Sequence, residues 1–130
     1  MKITLLSLTL AFALSFCQKD ETITGLTTDA EIWHLTQMNG TEITAPITLN
    51  FPEKGKIAGA GPCNRYFAEQ TAPLPWFEAK PIGATRMACP DLKLEGEYFK
   101  ALASMTLIER KGDTLLLNNE DGGRLEYRLK

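Results

Sequence analysis

The chain has 130 residues, 44% of them hydrophobic, with 14 lysines and arginines, 16 aspartates and glutamates, one histidine and a formal net charge of −2. That is enough apolar material for one ordinary core. Cations and anions are interspersed, which argues against a nucleic-acid partner, and a single histidine argues against a histidine-built metal site.

Lys2 opens the chain, and an apolar run of about 14 residues over positions 3–16 follows it. The run is too short to span a membrane as a helix, which takes about 18–20 residues. It matches the hydrophobic region of an export signal, so residues 1–16 are read as a signal peptide. Leu14-Ser15-Phe16-Cys17 resembles a bacterial lipobox, with Cys17 as the lipidated first residue of the mature chain. Phe16 stands where a small residue is usual, and Ala11-Phe12-Ala13 offers a rival site for ordinary signal cleavage. The chain has three cysteines, and an odd count in an exported protein means an intermolecular bridge, a free thiol or another use. Lipidation of Cys17 is such a use and leaves Cys63 and Cys89 as an even pair. Residues 17–29 are polar and without period, and are read as a tether. No aspartate follows Cys17, which by sorting rules points to an outer-membrane lipoprotein facing the periplasm of a bacterial cell envelope. The other destination is a secreted or periplasmic protein.

Residues 30–130 form the domain. Ile32 to Thr36 is rich in strand formers, and Asn39-Gly40 marks a turn. Ile47, Leu49 and Phe51 alternate with polar residues, and the bracketing Pro46 and Pro52 suggest a strand near an edge. Ile57 to Gly61 reads as a strand whose two glycines signal a bulge or close backbone approach. Arg65 to Ala68 continues it beyond Cys63, and Trp76 to Ala79 reads as a further strand. One helix is expected from Asp91, as N-cap, to about Met105, with Leu94, Tyr98, Ala101, Leu102 and Met105 on one stripe. Gly96 costs that helix about 1 kcal/mol relative to alanine. Leu107–Arg110 and Leu115–Leu117 form a hairpin across Gly112-Asp113, and a loop over 118–123 leads into a last strand, Leu125–Tyr127. The fold class is α+β: a small curved, mostly antiparallel sheet of about seven short strands, partly barrel-like, packed on one helix.

Trp33, Leu35, Gly59, Gly61-Pro62-Cys63-Asn64-Arg65-Tyr66, Thr85-Arg86-Met87-Ala88-Cys89, Glu95, Phe99 and Leu115–Leu117 together resemble a META domain of the HslJ type. Pro62 stands where that family more often has a second glycine. The resemblance implies a small β-rich envelope domain with one helix, a disulfide between Cys63 and Cys89, and an association with heat-shock and novobiocin resistance. It implies no established reaction.

The candidate sites rest on these residues. A Cys63–Cys89 disulfide suits an oxidising compartment, and closing its loop is worth about 3–4 kcal/mol in the chain-entropy model. The two cysteines lack C-x-x-C spacing, and no set of four zinc ligands is present. His34 has no nucleophile assigned to it. Glu95 and Glu97, two apart on a helix, point in different directions and are no glycosidase pair. No catalytic, metal or cofactor residue is therefore assigned. Asn64 at the glycine-rich bend is suited to bond local backbone. Arg65 and Arg86 each neighbour a cysteine, and are expected to pair with Glu95 or Glu97 or to form an anion-binding spot.

The function expected is a nonenzymatic envelope module. It is monomeric, held at the membrane by its lipid, and serves as a binding or adaptor domain in envelope integrity and stress tolerance. Exposed strand edges would accept a partner peptide by β-augmentation. The alternative is a carrier of a small hydrophobic ligand, held between helix and sheet by Trp76, Phe77 and Tyr98.

Overall fold

A computed structural model describes residues 19–130. The signal peptide over 1–16 and Cys17 lie outside the described residues.

Nine strands and one helix make up the domain. The strands are β1 (Ile32–Met38), β2 (Thr41–Glu42), β3 (Thr48–Asn50), β4 (Lys56–Ala60), β5 (Arg65–Glu69), β6 (Gly83–Ala84), β7 (Leu107–Lys111), β8 (Thr114–Asn118) and β9 (Arg124–Leu129), with helix α1 (Leu92–Ser104) between β6 and β7. All pairings are antiparallel, in the order β6-β5-β4-β3-β1-β9-β8-β7, with β2 paired to β1 alone. The sheet does not close, yet it curves strongly. The Arg110 guanidinium of β7 lies 4.9 Å from the Trp33 ring of β1, although β9 and β8 stand between those strands.

Two of the nine strands, β2 and β6, are two-residue pieces that strand propensity could not reveal. Asn39 and Gly40, with φ of 51° and 81°, join β1 to β2 in the twisted turn that matches antiparallel strands. β3 is an interior strand rather than the edge expected of it, flanked by β4 and β1. Pro46 and Pro52 lie outside its three residues and remove no ladder bond.

Trp76–Ala79 is not a strand. Trp76 forms a single bridge to Leu107, and Phe77 N–H and the Pro75 carbonyl bond Thr106 and Ile108. The fully buried Gln70 bonds the main chain before this stretch and within it. Its Oε1 accepts from Ala72 and Glu78 N–H, and its Nε2 donates to the Ala72 carbonyl. A side-chain amide thus replaces the partner strand.

Residues 20–26 also depart from expectation, since they dock on the domain rather than run free as part of a tether. Ile23 is fully buried in a 3₁₀ turn over Ile23–Leu26. Leu74 N–H donates to the Glu21 carbonyl at 2.8 Å, and Arg110 Nη1 donates to the Leu26 carbonyl at 2.7 Å. Burying one isoleucine side chain is worth about 1.5–3 kcal/mol, enough to hold so short a segment.

The inward faces of the strands meet α1 in one core. Trp33, Leu49, Leu115, Leu117, Leu125 and Tyr127 share one buried cluster with Tyr98 and Leu102 of α1 and with Met105 just beyond it. Leu94 and Ala101 pack at its margin, so the expected stripe does face the sheet. Asp91 precedes α1 but makes no side-chain cap bond.

Candidate functional site

The two cysteine motifs meet at one end of the helix. β4 and β5 are joined by Gly61-Pro62-Cys63-Asn64, closed by a 2.7 Å bond from Gly61 N–H to the Asn64 carbonyl. Proline serves at this tip because its missing donor is not needed there, and the N–H groups of Cys63 and Asn64 turn inward. Cys63 and Cys89 are disulfide-bonded with Cα atoms 5.5 Å apart, which fastens this bend to the segment leading into α1.

Glu95, 3% exposed in the first turns of α1, occupies the concavity formed by those amides. Its Oε2 accepts from Cys63 N–H at 2.8 Å and from Asn64 N–H at 2.7 Å, and its Oε1 accepts from Asn64 Nδ2 at 2.6 Å. A buried carboxylate is tolerated when its lone pairs are met this way. Asn64 works in the other direction too. Its Oδ1 accepts from Met87 N–H at 2.6 Å and the Thr85 hydroxyl at 3.0 Å, while Nδ2 reaches the Met87 carbonyl at 2.9 Å. One asparagine therefore ties together both cysteine motifs and the helix.

Glycine is required at Gly61, where a Cβ would lie 2.6 Å from Glu95 Oε2. Gly59 is the same case one turn of the pleat earlier. A Cβ there would meet the Thr48 carbonyl at 2.1 Å and the Tyr66 hydroxyl at 2.7 Å. The close backbone approach expected at these glycines is found at Gly59, against the Thr48 carbonyl, whereas at Gly61 it is the Glu95 side chain that comes close.

Arg65 and Arg86 are both exposed, and neither bonds Glu95 or Glu97. The expected ion pair fails because Glu95 points inward to the amides. Arg65 contributes main-chain bonds instead, its N–H to the Thr85 hydroxyl and its carbonyl to Thr85 N–H. Arg86 borders an open cleft with Met87, Leu92, Gly96 and Phe99. His34 is half-buried on β1, and burial together with the nearby Lys130 holds its pKa below the ordinary value.

Sequence reasoning missed a second buried polar device. The hydroxyls of Tyr66, Tyr98 and Tyr127 form a chain, 2.7 Å from Tyr66 to Tyr98 and 2.9 Å from Tyr98 to Tyr127. Tyr66 gives its one hydrogen to the Thr48 carbonyl at 2.7 Å. Tyr98 must therefore donate to Tyr66, and Tyr127 to Tyr98. Burial raises the pKa of all three, and for Tyr98 the neighbouring phenols Tyr127 and Tyr66 add to the rise. The period-2 pattern turns Tyr66 and Tyr127 inward and the helical stripe does the same for Tyr98, but no local signal joins them.

The helix–sheet interface, expected to hold a ligand in the alternative reading, is filled by this chain and the apolar core. Tyr98 is fully buried in it, while Trp76 is 56% exposed and borders a surface cleft with Phe77 and Asp121. The larger concavity lies on the outer face of the sheet. It is a groove of about 700 Å³ between β4, β5 and the segment before β6, lined by Pro52, Ala58, Phe67, Pro81 and Ile82 among others. Phe67, 60% exposed in mid-strand, forms its wall, and its ring lies so close over Gly83 that a Cβ there would come within 2.5 Å. Lys56 and Glu69, 3.5 Å apart, mark the rim.

The edges of the sheet are less open than β-augmentation would need. β6 is two residues long, and the 75–77 segment occupies the start of the β7 edge. Among the described residues no group of three or more histidine, cysteine, aspartate or glutamate side chains is placed to hold a metal ion.

Comparison with known proteins places this geometry. The family model described as META domain matches residues 25–130. The chain is similar to an NMR structure of a protein from Burkholderia xenovorans, at 26% identity and TM-score 0.62, covering 83% of this chain and 86% of that one. A second NMR structure matches at 25% identity and TM-score 0.62, over 78% of this chain and 90% of the other. A crystal structure of a DUF4847 family protein from Bacteroides vulgatus matches at 12% identity and TM-score 0.60, over 81% and 96% of the two chains, a likeness of fold alone. No curated protein matches the chain.

Proposed function

The chain belongs to the META domain family, and from that premise we propose that it is a noncatalytic binding module of the bacterial cell envelope. In this reading Cys17 carries the lipid anchor, the domain faces the periplasm from the outer membrane, and it acts as an adaptor in envelope integrity under heat or antibiotic stress. The observation that carries the reading is the groove walled by Phe67. A phenylalanine 60% exposed in the middle of a strand gives up burial that its neighbours enjoy, and with Ala58, Pro81 and Ile82 it makes an apolar concavity that supports the reading of this face as a partner site. The polar groups best suited to chemistry, Glu95, Asn64 and the three tyrosines, are engaged with the protein's own groups. The partner that fits is a protein segment with an apolar residue for the groove and charges of both signs for the rim. It binds the face of the sheet rather than its edge.

The test is a photocrosslinking residue in place of Phe67, with Asp121 as the control position, in cells that export the protein. A discrete protein adduct at position 67 alone supports the adaptor. Background at both positions refutes it. A small hydrophobic mass retained in native mass spectrometry, with no protein adduct, would assign the groove to the ligand-carrier reading instead.

A further inference from the structure

The docked segment over 20–26 has a consequence for where the domain sits. Cys17 precedes the fully buried Ile23 by only six positions. Even fully extended, that much chain spans about 20 Å. A domain of this size is roughly 30–35 Å across. If Cys17 carries the lipid, the connection is shorter than the domain is wide, so it keeps the domain within about 20 Å of the bilayer and holds the end that carries the docked segment nearest to it.

The structure also marks which end that is. Arg110 Nη1 donates both to the Leu26 carbonyl at 2.7 Å and to Glu31 Oε1 at 2.9 Å, so the 3₁₀ turn and the start of β1 are clamped to one guanidinium. Leu26 supplies the bonded carbonyl, Ile32 directly follows Glu31 in the chain, and each of the two aliphatic residues is 50% exposed. The opposite end of β1 lies about 20 Å away along the strand. There the Asn39 turn receives Arg124 N–H, and the loop over 119–123 adjoins it.

We infer that Leu26 and Ile32 are a membrane-contact surface that seats the domain on the lipid bilayer beside its own anchor. The occupant is the acyl-chain and headgroup boundary of the leaflet that holds Cys17. Two aliphatic side chains make marginal contact by themselves, but the short anchor holds them at the surface, where even weak apolar burial is effective. The inference rests on the lipid-anchor reading, and the loop end over 119–123 is left facing away from the membrane.

The experiment uses the lipidated full-length protein extracted from membranes. With Cys17 acylated and Cys63 bonded to Cys89, a cysteine introduced as Leu26→Cys, Ile32→Cys or Asp121→Cys is the single free thiol for an environment-sensitive fluorophore. Each labelled protein is reconstituted in phosphatidylcholine vesicles with brominated acyl chains. The expected result is about twofold quenching at positions 26 and 32 and almost none at 121. Equal quenching at all three positions, in protein that floats with the vesicles, overturns the seating and leaves the anchor standing. Protein whose mass lacks the lipid, and which does not float, overturns both.

Discussion

Glu95 accepts from Asn64 twice, taking its main-chain N–H on Oε2 at 2.7 Å and its side-chain Nδ2 on Oε1 at 2.6 Å. The helix is thereby joined to the β4–β5 bend next to the disulfide, and the joint carries more weight than either cysteine motif suggests by itself.

Removing that carboxylate leaves the Cys63 and Asn64 amides without their partner. Glu95→Ala is expected to cost about 3 kcal/mol, from two main-chain donors and part of a third. The melting temperature should fall by about 10–20 °C. Glu95→Gln keeps an acceptor for the amides but sets an NH₂ group against Asn64 Nδ2, and falls between the two. Glu97→Ala, on the exposed side of the same helix, is the control. Equal melting temperatures for the two alanine variants would remove Glu95 from this role.

The same substitution at two glycines should have opposite signs. Gly59→Ala forces a Cβ against the Thr48 carbonyl and the Tyr66 hydroxyl, and disrupts the tyrosine chain. A Cβ at Gly96 meets nothing within 4 Å, so Gly96→Ala should stabilise the helix by about 1 kcal/mol. Chemical denaturation of both variants tests this, and destabilisation by Gly96→Ala would mean that its open surface is needed in the fold.

Alkaline pH should unfold the domain through the tyrosines. In the unfolded chain they titrate near pH 10. Burial raises Tyr66, Tyr98 and Tyr127 above that value in the fold. Each raised pKa contributes stability that is complete below about pH 10 and is lost as pH rises through the folded-state value. Tyr98→Phe removes one of the three groups, so it should be less stable at pH 7 and show a shallower alkaline loss. Denaturant midpoints measured from pH 7 to 11 give both quantities.

Breaking the staple should weaken the domain without abolishing it. The disulfide closes a separation of 26 residues, worth about 3–4 kcal/mol in the chain-entropy model. The Cys63→Ser, Cys89→Ser double variant should therefore lose about that amount, yet keep its far-ultraviolet spectrum, because Asn64 and Glu95 still bridge the two motifs. Two reactive thiols in the denatured, unreduced domain would show that the staple does not form in the exported protein.

Much of the domain could be read from local pattern. Alternation over Ile47–Phe51, the turn at Asn39-Gly40, the hairpin across Gly112-Asp113 and the apolar stripe from Leu94 to Met105 are each set by neighbours along the chain. Gly59 in β4 and Gly61 just after it announced a close approach, though not what approached. Glu95 was legible only as a helix residue, and its inward face, three positions before Tyr98, is a helical-period signal that its charge concealed. Trp76–Ala79 has strand composition, but its main-chain partners come from Gln70 and from the start of β7, and no local pattern specifies them.

By itself, then, the sequence determined the longer strands, the helix, the family likeness and the pairing of two cysteine motifs, because those depend on residue type and short spacing. Tertiary structure alone decided that Arg65 and Arg86 stand apart from Glu95, that three tyrosines share one chain of hydrogens, and that Ile23 draws the supposed tether into the core. The physical reason is one of range. Periodicity and turn chemistry act over a few residues, whereas a buried polar group must find its partner across the fold, here between positions 31 or 32 residues apart. Such partners become readable only once the sheet has curved and the helix has closed over it.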